Sequence, residues 1–135
     1  MEYYAHKREL PDGAIELQTV QAHLQGTAER ARICLREVGL EHAAYLAGLI
    51  HEIVKMTETF QEYLLGTESH VKGSVIHTFQ GCRFLMERFH RSDQLHEIIA
   101  AELLAFAVGA HHGLFDCIDA AGRIGLKYRE AKENI

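Results

Sequence analysis

From residue 17 onward the apolar residues recur at steps of three and four: Leu17, Val20, Leu24, Ala28, Ala31, Leu35 and Val38. That spacing gives one stripe of a helix, and strand-like alternation is hard to find elsewhere in the chain. Proline occurs once, at Pro11, so no proline interrupts the helices downstream. Gly39 is a natural terminator for the first helix. A second helix is predicted over 41–55, with Ala44, Leu46, Ala47, Leu49, Ile50 and Ile53 buried. Thr57 is placed to cap a third, carrying Phe60, Tyr63 and Leu64 and ending at Gly66. Residues 67–73 read as polar loop. Ser74 is placed to cap a helix running to about Phe89, and Ser92 another from Asp93 to about Ala110. A charged helical end covers Leu126 to Glu133. Residues 1–16 read as a lead-in turned at Pro11-Asp12-Gly13. The expected fold is an all-α bundle of about five to six helices.

The chain has 135 residues, which suits one domain over 1–135. Its formal charge of −5 argues against a protein that grips nucleic acid by basicity alone. Cys34, Cys82 and Cys117 form no CxxC pair and read as reduced thiols of a cytoplasmic protein. The opening residues lack the apolar core of a signal peptide. The longest apolar run, 98–109, is broken by Glu102 and is too short to span a bilayer. It has the length of a buried helix.

The compositional anomaly is ten histidines. His51-Glu52 interrupts an apolar helix, where two polar side chains are costly unless paired or coordinated. Adjacent helical residues diverge by about 100°, so the two can share a cation only at the helix flank. Lys55 stands one turn beyond His51, where it can meet a phosphate oxygen. His111-His112-Gly113 closes the most apolar helix. Those rings can address metal, or can cap the last carbonyls. His77 and His23, each alone, read as structural. His6, His42, His70, His90 and His96 lie in polar or terminal surroundings and receive no role.

Taken in order, these pieces resemble one family. Gln18-Thr-Val-Gln-Ala-His23-Leu24, then Gly48-Leu-Ile-His51-Glu52-Ile-Val54-Lys55 with Phe60 trailing, then Lys72-Gly73 to His77-Thr78 with Gly81-Cys82, and finally His111-His112-Gly113-Leu114, look like the HD-superfamily nuclease domain of type I CRISPR-associated systems. The resemblance implies an HD-like helical bundle that cuts single-stranded DNA with one or two divalent transition-metal ions, Mn, Fe, Co, Ni or Zn. It implies His23, His51, Glu52, His77, His111 and His112 as metal ligands, and Glu52, Lys55 and His77 as the residues of catalysis. It also implies a superfamily 2 helicase and the CRISPR surveillance complex as partners. Imidazoles favour such ions over magnesium, which prefers oxygen.

The family's aspartate is Glu52 here, its glycine two residues on is Val54, and its further downstream aspartate ligand has no match before Ile135. These departures imply reduced activity and a fragment of a longer domain. Asp116 and Asp119 read as loop or capping aspartates. Two other readings stay open: a non-catalytic HD-fold remnant serving as an interaction module, and an HD phosphohydrolase of nucleotides. A truncated helical domain can also self-associate through an exposed apolar face.

Overall fold

The computed structural model describes residues 2–66 and 79–111. A two-stranded hairpin, β1 (Tyr4–Glu9) and β2 (Ile15–Thr19), leads into α1 (Val20–Cys34), α2 (Glu41–Ile50), α3 (Glu58–Leu65), α4 (Gln80–Phe89) and α5 (Leu95–Gly109). Short 3-10 turns cover Arg36–Val38 and Ile53–Met56. The mostly helical expectation holds. His77, His112, Cys117, Asp116, Asp119, the Ser74 cap and the charged helical end lie outside the described residues.

The hairpin corrects the lead-in reading of residues 1–16. Its strands are exposed on both faces, Ala5 being their one buried residue, so no buried face writes a period of two into the sequence. The turn signal was the legible part. Gly13 takes φ +83°, and Asp12 Oδ1 accepts the Ala14 amide at 3.0 Å. Pairing runs antiparallel from Glu9↔Ile15 to His6↔Gln18, then skips to Tyr4↔Thr19. Ala5 is therefore a bulge, which bends the strand and re-aims its neighbours.

Leu17 belongs to β2, so α1 begins at Val20 behind a Thr19 cap whose Oγ1 accepts the Ala22 amide at 3.2 Å. The far end of the predicted stripe is also outside the core: Leu35 and Val38 are exposed beyond the helix end. Gly39 ends the following turn in the left-handed region, φ +72°. Thr57 caps α3 by accepting the Phe60 amide at 3.3 Å. Ser92 does not cap α5. Its hydroxyl accepts the Gln94 amide at 3.1 Å, and Gln94 is the cap residue.

Ile50, Phe79, Cys82, Leu85, Ala105 and Val108 form the main core, where α2, α4 and α5 meet. Leu85 is fully buried, worth about 1.5–3 kcal/mol of transfer free energy. Glycines set the spacing. A Cβ on Gly48 would stand 2.5 Å from the Ala28 Cα, and one on Gly81 would stand 2.6 Å from the Ile50 carbonyl oxygen. The α1 and α4 backbones thus rest directly on α2. A smaller cluster of Ala5, Val20 and Leu24, with Tyr3 against it, joins the hairpin to α1.

The apolar run 98–109 is a helix but buries only one face, through Ala101, Ala105 and Val108. Leu95, Ile99, Leu103 and Phe106 of α5 are exposed among the described residues. Among these residues no helix is long and apolar enough to cross a membrane.

Candidate metal centre

The predicted second helix stops at Ile50 rather than continuing to 55. In a continued helix the Gly48 carbonyl would accept the amide of residue 52. Here it accepts Nδ1–H of the His51 ring at 2.8 Å instead. The chain then turns through Glu52 (φ −128°) into the Ile53–Met56 turn. This break removes the 100° divergence expected of two helical neighbours, and His51 and Glu52 face one place.

His111 follows α5 in the same way, its Nδ1 donating to the Val108 carbonyl three residues back. Both histidines therefore cap a helix C-terminus and hold a defined tautomer, with Nε2 as the ring's second nitrogen. Capping and ligation are compatible, because they use opposite nitrogens. The partial negative charge of two helix C-termini also favours a cation nearby.

Four imidazoles stand in file. Ring centroids are 4.7 Å apart for His6–His23, 5.2 Å for His23–His51 and 5.3 Å for His51–His111. The Glu52 carboxylate is set against them: Oε2 lies 2.7 Å from His23 Nε2, 3.6 Å from His51 Nε2 and 2.8 Å from Lys55 Nζ. His23 comes from α1, whose close approach at Gly48 brings it to the end of α2.

Lys55 corrects the expectation that it reaches outward to a phosphate. It is 4% exposed, and its ammonium donates to Glu52 and, at 3.1 Å, to the Ala5 carbonyl. It also lies 3.4 Å from His6 Nε2. Burial without such partners would be prohibitive for an ammonium. It serves as a fixed positive charge inside the site, set against Glu52.

Burial raises the Glu52 carboxyl, but the Lys55 hydrogen bond and charge, with His23 and His51, outweigh that and hold it below the usual range. His23 and His6 are both pushed below the ordinary imidazole value, first by desolvation. Glu52 opposes that shift in each, while Lys55 and the neighbouring imidazoles reinforce it. The result is an ionised carboxylate facing neutral rings, the protonation state in which each group ligates metal.

The donor set fits a cation. His23 Nε2 is buried and, despite its 2.7 Å approach to Glu52, makes no aligned hydrogen bond. His51 gives its Nδ1–H to a carbonyl and holds Nε2 at 3.6 Å from the same carboxylate. Two imidazole nitrogens beside one carboxylate oxygen make a donor set that a divalent ion could bridge, in addition to the Lys55 ammonium already there. One ligand atom each from His6, His23 and Glu52 lies within 4.8 Å of the others. Imidazole and carboxylate together suit first-row transition metals.

Of the residues expected at the site, His23, His51, Glu52, Lys55 and His111 come together, while His77 and His112 are outside the described residues. His6, given no role from sequence, stands among them. Its only sequence signal was one more histidine, in a hairpin that the periodicity concealed.

No curated protein matches the chain. A model of the HD domain family matches residues 20–132, which spans α1, the His51-Glu52 turn and α5. The chain belongs to the HD domain family.

Proposed function

We propose that this HD domain is a metal-dependent hydrolase, and that it acts as a phosphodiesterase on single-stranded DNA, as a nuclease domain of CRISPR interference working with a superfamily 2 helicase and the surveillance complex. The single observation that carries a hydrolytic metal site is the convergence of His23, His51 and Glu52, with His111 against His51, from three separate helix segments. The DNA assignment rests on the ordered resemblance from His23 to His111-His112-Gly113.

His23, His51, Glu52 and His111 would hold the ion or ions, with His77 and His112 as further ligands by resemblance. One or two divalent transition-metal ions there would supply Lewis acidity to a phosphodiester and acidity to water. The chain's own contribution is orientation. Carbonyls fix the His51 and His111 rings, and Lys55 keeps Glu52 ionised and directed at His23. Glu52 is long enough to reach its partners at 2.7–2.8 Å, so the departure from aspartate leaves the carboxylate in contact.

The test is metal content after reconstitution with Mn²⁺ or Co²⁺, followed by cleavage of circular single-stranded DNA. Glu52→Gln, which keeps the shape and removes the charge, should lose both. Bound metal with hydrolysis of nucleotides and none of DNA would support the phosphohydrolase reading, which the −5 charge favours. A folded protein that takes up no metal would overturn both and leave the interaction module.

A further inference from the structure

His6 lies upstream of the family match, which begins at Val20. It stands on β1, yet its ring meets His23 edge-on at 4.7 Å between centroids, and a ligand atom of each, with one of Glu52, falls within a 4.8 Å group. We propose that His6 is a metal ligand, supplied by the hairpin, that closes the His23 side of the centre. The inference rests on the functional reading above.

Two further features hold the ring there. The Ala5 bulge breaks the strand's alternation immediately before His6, a device that re-aims a side chain. The strand itself is fastened to the helical body. Gln61 Oε1 accepts the Tyr4 amide at 2.9 Å, and its Nε2 donates to the carbonyls of Tyr4 at 2.9 Å and Lys55 at 2.7 Å. The Tyr3 carbonyl accepts the Val20 amide at 2.8 Å, which anchors the strand to the start of α1.

The chemistry of the ring agrees. Lys55 Nζ can only donate, so its 3.4 Å approach to His6 Nε2 favours the neutral ring, and an ion bound at that nitrogen would take the place of this contact. Donor atoms on a common ion bound at about 2.0–2.2 Å stand no more than about 4.4 Å apart. Closing a 4.8 Å group to that span takes a side-chain adjustment of a few tenths of an ångström. His6 also borders an open cleft of about 580 Å³ whose wall includes Arg8, Gln18 and Thr19. A ligand there places the ion next to a passage from solvent.

The test uses the full chain titrated with Co²⁺, read by the visible absorption of the bound ion and by stoichiometry. His6→Ala and His6→Gln should each alter the cobalt spectrum and weaken binding at least tenfold, or remove one of two ions. His96→Ala, at an exposed position of α5, should match the unmodified chain. Circular dichroism melting reports whether each variant is folded, and His6→Gln retains a neutral polar side chain of similar reach. Unchanged cobalt spectra and affinities in both His6 variants, with loss of the ion in His51→Ala, would overturn the His6 assignment and leave the proposed function standing. Failure of the unmodified chain to bind cobalt would overturn both.

Discussion

Replacing Gly48 with alanine tests whether helix spacing sets the metal centre. The new Cβ would stand 2.5 Å from Ala28 Cα, 2.7 Å from Ala28 N and 3.1 Å from the Thr27 carbonyl carbon, whereas ordinary contact begins at 3.4 Å. The obstructing atoms are backbone, so rotating a side chain cannot relieve them. The helices must part by the 0.9 Å between 2.5 and 3.4 Å. Overpacking of this kind costs about 1–3 kcal/mol. His23 is five residues from Ala28 on the same rigid helix, so most of the displacement reaches it. Its 2.7 Å approach to Glu52 would lengthen toward 3.5 Å or so. A misplacement of about 1 Å at a catalytic centre costs around a hundredfold in rate. Gly26→Ala, on α1 with open space where its Cβ would go, is the control and should gain about 0.5–1 kcal/mol from helix propensity. Urea unfolding and Co²⁺ titration of both variants measure the two effects. A Gly48→Ala protein with unchanged stability and cobalt affinity would refute the spacing argument.

Three further outcomes are expected. Gln61→Ala removes three hydrogen bonds at once and should cost about 1.5–4.5 kcal/mol at 0.5–1.5 each, with amide exchange in the hairpin rising first; exchange that rises elsewhere instead would refute the fastening. Saturating Mn²⁺ or Co²⁺ should raise the melting point, by about 2.7 kcal/mol of added stability at a hundred times Kd, and a chelator should reverse it. The metal-free protein should lose stability as pH falls. Desolvation, with Lys55 and His51 beside them and Glu52 opposing, holds His6 and His23 below the ordinary 6.5, so below that pH the unfolded chain binds more protons. Glu52, held below its ordinary 4.5, adds a second loss at lower pH. A flat urea-midpoint profile between pH 7.5 and about 4.5 would contradict the histidine shifts, and one that stays flat from there to about pH 3 would contradict the Glu52 shift.

The helices were legible because each buries a stripe against another: Val20, Leu24 and Ala28 on α1, and Ala44 and Ile50 on α2, carry the pattern. The hairpin was hidden because its strands bury Ala5 alone, and exposed strands impose no alternation. His51-Glu52 was readable as a polar intrusion in an apolar helix. That the helix ends there was not, since Ile53 and Val54 continue the apolar pattern while the His51 ring takes the Gly48 carbonyl. Lys55 read as a side chain free to meet a phosphate oxygen. Its burial depends on the Ala5 carbonyl, fifty residues away, and no local pattern encodes that. His6 was missed for the same reason.

The fastening of β1 by Gln61 also bears on how copies of the chain meet. A two-stranded sheet leaves outer rims, and a bare rim can template the addition of a foreign strand. At Tyr4 both main-chain groups are already engaged by the Gln61 carboxamide, which stands in for one peptide of a missing third strand. An incoming strand would have to displace that amide before pairing beside the imidazole file. The rim is thus blunted where cross-chain zippering would distort the pocket most.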